Sequence, residues 1–342
     1  SEWVRGDQQF AFSPFFRVDA NDSERTHADI RELYWRARRG RLFWTVGLDL
    51  VFWGVTESQH LVDIINQTDL VENLDGEDKL GQPMVNIGYT STLGTWQLFY
   101  LPFFRERTFP GPDGRLRSEP PVDTDSPIYE SSEEERHQDF AVRWSRYIGD
   151  WDIGLAHFTG TARQPIFLAL NPLENQGLTP FYAQIDQTSI DVQATKGAWL
   201  WKLEAIYNNN SFDDYYAYVG GFEYTSFGLS GGDADLGWLL EYHHNSLEDL
   251  GDPQVTVNAL QNDLYMGVRW TGNDTQSTNL LTGVIVDLDT QSTFYNFEFE
   301  RRLGEKWTIG IEARLFLNID SGDVFYPVRQ DDHVEIQLTR HF

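Results

Sequence analysis

Apolar and polar residues alternate along most of this chain with a period of two. The pattern is clearest where Leu42, Trp44, Val46, Leu48, Leu50 and Phe52 face away from Arg41, Phe43, Thr45, Gly47, Asp49 and Val51. Successive side chains of a strand point to opposite faces, so each such run predicts a strand with one apolar and one polar face. Trp307, Ile309, Ile311, Ala313, Leu315 and Leu317 repeat it, as do Val334, Ile336 and Leu338 against His333, Glu335 and Gln337. Read in order, the pattern places strands near 7–19, 27–39, 41–52, 84–92, 95–104, 136–148, 151–161, 181–195, 197–208, 213–226, 234–245, 261–271, 276–289, 293–303, 305–318 and 331–342. That is about 16 antiparallel strands, with 14 and 18 the neighbouring even counts.

The connections sort by length. Arg39-Gly40, Leu93-Gly94, Gly149-Asp150, Lys196-Gly197, Gly228 to Asp233, Thr271 to Thr275 and Gly304-Glu305 are short, and they alternate with connections that include the long links 53–83, 105–135, 162–180, 246–260 and 319–330. A meander with short turns on one edge and long loops on the other is the plan of a transmembrane β-barrel, whose short turns are periplasmic and long loops extracellular. A soluble sandwich has no reason to sort its loops this way. The expectation is an all-β fold, a single transmembrane antiparallel β-barrel over 1–342, in a bacterial outer membrane. Trp35, Trp44, Trp96, Trp144, Trp199, Trp201 and Trp307 fall beside the short turns, where a headgroup girdle would sit.

Composition removes competing classes. Against 26 Lys and Arg stand 53 Asp and Glu, a net charge of -27, which argues against a nucleic-acid partner. There is no cysteine, hence no disulfide framework and no thiolate metal site. No run approaches the ~18 apolar residues of a membrane helix. A mean hydropathy of -0.46 still suits a barrel, because only alternate residues need be apolar. No secretory leader stands at Ser1, so an exported protein would carry its mature numbering here.

If the apolar faces meet lipid, the alternate faces enclose a lumen lined by Arg36, Asp49, Arg143, Glu204, Glu241, Arg269, Glu298, Glu312, Arg314 and Glu335. Its acidic excess predicts a mild cation preference; the alternative is mutual pairing, for example Arg314 with Glu335. A barrel this wide is not filled by its own side chains. The segment 54–83 is the expected occupant, folded inward to narrow the pore, with a lid over the mouth as the alternative. Leu61, Ile64 and Ile65 at helical spacing, with Thr56 or Ser58 as cap, predict a short helix there. His60, Asp63, Asn66, Asp69 and Glu72 are the expected constriction residues. The loop 105–135 runs from Arg105, Arg107, Arg115 and Arg117 to Glu133, Glu134 and Glu135. It is expected outside and turn-rich, its arginines meeting lipopolysaccharide phosphates or an anionic solute, or pairing with its own acids.

Phe52-Trp53-Gly54, followed by the run from Val62 to Asp69, resembles the strand-loop junction of an uncharacterised porin-like outer-membrane family, distantly similar to alginate-export barrels. The shared features are Trp-Gly and then Asp-apolar-apolar-Asn-x-x-Asp, with Gln67 where that family has Pro. The last strand, ending on Phe342, resembles the terminal strand that barrel assembly machinery reads, with Arg340 at a position that is usually apolar. The resemblance implies an outer-membrane channel in contact with lipid and lipopolysaccharide, passing small hydrophilic or amphipathic solutes. A polysaccharide substrate is not carried over, since an anionic polymer favours a basic lumen. The alternative is a non-conducting or plugged barrel, the outer component or platform of an export or assembly complex, with a periplasmic or lipoprotein partner.

No catalytic residue and no cofactor is expected. Tyr242-His243-His244-Asn245-Ser246 lies at a strand end but lacks the lipase-like order, and His243 and His244 face opposite ways, a poor joint metal site. Calcium would find oxygens in Asp69, Glu72, Asp75, Glu77 and Asp78, or in Asn318, Asp320, Ser321 and Asp323; a solvated acidic loop is the favoured reading.

Overall fold

The computed structural model describes residues 2–168, 177–247, 260–323 and 325–341. The strands are β1 (Glu2–Arg5), β2 (Gln8–Phe16), β3 (Ala28–Arg39), β4 (Leu42–Asp49), β5 (Gln82–Ser91), β6 (Gly94–Leu101) and β7 (Ile128–Tyr129). They continue as β8 (Asp139–Ile148), β9 (Trp151–Thr161), β10 (Ile166–Leu168), β11 (Thr179–Tyr182), β12 (Gln184–Lys196), β13 (Trp199–Asn210) and β14 (Asp214–Ser226). β15 (Asp235–Asn245), β16 (Asn262–Thr271), β17 (Asn279–Asp287), β18 (Thr293–Leu303), β19 (Trp307–Leu317) and β20 (His333–Arg340) complete the set.

Seventeen of these strands form one sheet in which chain neighbours pair antiparallel. The exceptions to strict succession are β6 with β8 and β9 with β12, because β7, β10 and β11 form a separate three-stranded sheet within the long loops. Among the described residues the sheet is open between β20 and the β1–β2 hairpin. The last residue, Phe342, lies outside the described residues, so its expected part in assembly is untouched by the structure.

The sheet is inverted relative to a water-soluble one. On β13, Trp199, Trp201, Leu203 and Tyr207 are exposed, while Lys202, Glu204 and Asn208 are buried. Trp96 and Leu98 of β6, Trp238 of β15 and Ile336 and Leu338 of β20 lie on the same exposed face. Aromatic rings gather beside the short turns: Trp35 with Trp44 at 5.9 Å, Trp199 with Tyr224 at 4.7 Å, and Trp96 with Trp144 at 6.3 Å.

What covers the polar face is the link between β4 and β5. It begins at 50 and ends at 81, because β4 stops at Asp49 and not at Phe52 as the alternation suggested. This one segment reaches Arg31 on β3, Glu204 on β13, Glu241 on β15, Arg269 on β16 and Arg314 on β19. Strands from both ends of the sheet therefore touch it, and the sheet curls round it. The helix expected from Leu61, Ile64 and Ile65 does not form; the segment is a succession of turns and bends. Its apolar residues instead build a core against the wall. Trp53, Val62, Ile64 and Ile65 pack with Met84, Phe99, Leu101, Ala156 and Phe158. The inner face of β5 to β9 thus carries an apolar patch beside the polar Asn86, Asp139 and Arg143. A segment held inside a curled sheet needs an apolar partner surface, because burying its own apolar groups is what holds it there.

Candidate functional site

The inward segment is fixed by carboxylates from distant strands that accept from its backbone. Glu204 accepts from Val55 N at 2.7 Å, Thr56 N at 3.1 Å, Thr56 Oγ1 at 2.7 Å and Val62 N at 3.2 Å. Glu241 accepts from Glu57 N at 2.8 Å, Ser58 N at 2.9 Å and Ser58 Oγ at 2.5 Å. A chain without helix or ladder leaves its N–H groups pointing outward, and a concave run of them binds an anion. That is why Thr56 and Ser58 do not cap a helix: their hydroxyls are spent on Glu204 and Glu241. Burying a carboxylate is costly unless donors replace its water, and here they do.

The charges of the segment are met in the same way. Glu57 pairs with Arg269 at 2.5 Å and Lys202 at 3.6 Å, Asp63 with Lys79 at 3.1 Å, and Glu72 with Arg17 at 2.8 Å. Asp69 receives Arg31 at 2.5 Å and Thr108 Oγ1 at 2.5 Å. Asn66 accepts from Val51 N and donates to Asp49 O and Leu80 O, each at 2.9 Å. Burial raises the Asp63 carboxyl above its ordinary value, with Lys79 pulling the other way.

Of the five expected constriction residues, Asn66 and Asp69 are buried and held by the contacts above, Asn66 on the border of a cavity. Asp63 and Glu72 are largely enclosed in their ion pairs. His60 lines a cavity, described below, and its Nδ1 lies 3.8 Å from Glu204. Burial works against its charged form, but the Glu204 carboxylate outweighs burial, so its pKa stands above the ordinary 6.5. The stabilisation from protonated His60 is therefore full below the unfolded pKa and is lost as pH rises through the raised folded value. His60→Gln should flatten this: the urea midpoint of the wild type should fall between about pH 5 and 9 while that of the variant changes less. Parallel profiles would remove His60 from the account.

The expected lining residues divide into three groups. Asp49, Glu204 and Glu241 are buried acceptors, Asp49 pairing with Arg36 at 2.8 Å. Arg143 reaches Asp191 at 2.6 Å across β9, and it can do so because Gly154 stands between them. A Cβ there would come within 2.1 Å of Asp191 Oδ2 and 2.4 Å of Arg143 Nη2. Arg314 gathers Glu298 at 3.0 Å, Asp75 at 3.2 Å and Glu312 at 3.4 Å. It does not pair with Glu335, because the ladder sets Arg314 opposite His333 and Glu335 opposite Glu312. Glu335 itself is exposed on β20.

Two groupings went unseen in the sequence. Ser58 Oγ lies 2.7 Å from His243 Nε2, whereas Ser246, three residues from His243, accepts from Tyr216 N. A serine hydroxyl has one proton; Ser58 gives it to Glu241, so His243 Nε2 must be the donor to Ser58. This is not the order of a nucleophilic triad, where the carboxylate orients the imidazole and the imidazole accepts the serine proton. Arg163 is the second: it joins Asp139 at 2.7 Å and Ile65 O at 3.2 Å, tying the inward segment to β8. Nothing local marks Arg163, which follows a strand by two residues in an otherwise ordinary link.

For a hard cation, His27, Asp69 and Glu72 bring three ligand atoms within 4.8 Å of one another. Asp69 and Glu72 already hold guanidinium groups, which offset the charge a cation would use. In the other acidic run, Asp320 and Asp323 accept from Gly322 N and Phe325 N of their own turns. No protein-family model matches this chain, and no curated protein matches its sequence.

Proposed function

We propose that this chain is an outer-membrane β-barrel channel for small hydrophilic or amphipathic solutes, its sheet closing between β20 and the β1–β2 hairpin. The observation that carries the reading is the inverted sheet: large apolar and aromatic residues exposed on one face and charged residues buried on the other. Soluble monomers rarely expose contiguous apolar patches beyond about several hundred Å², whereas a barrel turns such a band to lipid and its polar face inward. Short turns at 40–41, 92–93, 149–150, 197–198 and 304–306 all leave one edge, and the links 17–27, 50–81, 102–138 and 318–332 leave the other. In this reading the first edge is periplasmic, and the segment 50–81 narrows the lumen.

A second reading is favoured by how that segment is held. Seven hydrogen bonds to Glu204 and Glu241 suit a permanent plug, and a plugged barrel would serve as a platform in an export or assembly complex. Planar-bilayer recording of the purified chain separates them. Discrete conductance with a cation-biased reversal potential in a salt gradient is expected. A folded, heat-modifiable protein that never conducts would overturn the channel in favour of the plug, and an anion-biased potential would overturn the charge preference.

A further inference from the structure

Between the inward segment and the long loops lies a cavity of about 1240 Å³. That exceeds the ~300–1,000 Å³ of ordinary small-molecule sites, so it has room for a solute and water together. Part of its lining is the charged inner wall, with Glu57, Glu298 and Arg314. Phe109 and Phe167, with ring centroids 5.5 Å apart, and Leu178, Ile185 and Ile206 give it an apolar side. Into the same cavity faces Arg107.

Arg107 is unlike the other inward cations. Its backbone N–H donates to Tyr182 Oη at 3.0 Å and its Nε to Gln67 Oε1 at 3.2 Å, but among the described residues no carboxylate pairs with it. Protein surrounds it, and it nonetheless keeps accessible surface, which the cavity supplies. Burial lowers its pKa to about 10, so it remains charged at neutral pH. In a chain with 53 acidic and 26 basic residues, an internal guanidinium without a carboxylate is unexpected, because an unpaired buried charge is destabilising. Of the carboxylates that border the cavity, Glu57, Asp63, Asp75 and Glu298 are held by Arg269, Lys79 and Arg314, Asp213 and Asp323 accept from backbone N–H groups of their own turns, and Glu77 and Glu119 are exposed. The same lining carries two buried donors without acceptors, Arg163 Nη2 and Gln187 Nε2. At Arg107 the cavity therefore offers a guanidinium that no described carboxylate meets, with an apolar side nearby, which together suit an anion attached to an apolar body.

We propose that this cavity binds an amphipathic organic acid, its carboxylate on the Arg107 guanidinium and its apolar part along Phe109, Phe167 and Leu178. The binding site stands on the cavity alone; that the acid is a transported solute rests on the channel reading. A planar guanidinium takes a carboxylate through two parallel hydrogen bonds, which a neutral or cationic head cannot reproduce.

The test uses the full chain in detergent and three probes of equal size, 3-phenylpropionate, 3-phenylpropan-1-ol and 3-phenylpropylamine, titrated by calorimetry. The acid should bind the wild type about tenfold or more tighter than the alcohol or the amine. Arg107→Gln should abolish that preference while leaving alcohol binding within about twofold, and Arg107→Lys should retain part of it. Equal affinity for the three probes, preference for the amine, or an acid preference that survives Arg107→Gln would each overturn the proposal. The comparison of probes on the wild type decides the matter even if a variant fails to fold. Acid binding by a protein that does not conduct would sink the channel and keep this site.

Discussion

Replacing Glu204 and Glu241 together by alanine should raise single-channel conductance several-fold. These two carboxylates hold residues 55 to 62 from strands about 150 to 180 positions away. A hydrogen bond to a charged group contributes about 1.5–3 kcal/mol, and truncation also leaves the segment's N–H groups without acceptors. The segment should then leave its seat, while Trp53, Val62 and Ile65 keep part of it on the wall through their core. Single-channel recordings of the double variant, checked for heat-modifiability, give the answer. Glu204→Gln and Glu241→Gln keep one acceptor oxygen each and should fall between. Conductance unchanged in the double variant would mean that residues 55 to 62 do not set the narrowest section.

Arg163→Met should be among the most destabilising single changes outside the sheet ladder, about 3 kcal/mol, because it leaves the buried Asp139 with only the partly exposed His137, 2.8 Å away, as a cation. The same change releases Ile65 O and removes the guanidinium from the Phe158 ring, 5.0 Å away. The urea midpoint should fall accordingly. Adding Asp139→Asn should recover a large part of the loss, since the cost lies in the stranded charge and less in the missing attraction. If the double variant is as unstable as the single one, the ion pair is not the source.

Residue patterning made the sheet legible. Alternation is a local property: each residue's face follows from its neighbours, so β13 or β19 could be placed without knowing what lies beside it. The tight turns at Gly40, Gly149, Gly197 and Gly304 were equally plain, because each takes a positive φ that glycine adopts without strain. The bounds failed where a strand runs on in pattern but not in pairing. Leu50 and Phe52 continue the alternation of β4, yet the chain leaves the sheet at Asp49, whose carboxylate caps Leu50 N while Arg36 holds it. Leu98 to Leu101 is apolar or aromatic on both faces, the mark of a strand covered on both sides, and Phe99 and Leu101 do meet the inward segment.

The alternation placed most strands of the main sheet and their order, and the apolar residues of 54–83 pointed to a segment covered by protein, as occupant or as lid; β1, β7, β10 and β11 are too short for the pattern to show. Only the tertiary structure decided how that segment is built and held. Its helical spacing was overridden because Glu204 and Glu241 offer its backbone acceptors from across the curled sheet. The same holds for the charges. Which of many acids meets Arg314, or that none of the described acids meets Arg107, depends on ladder register and curl, and a chain read residue by residue contains neither.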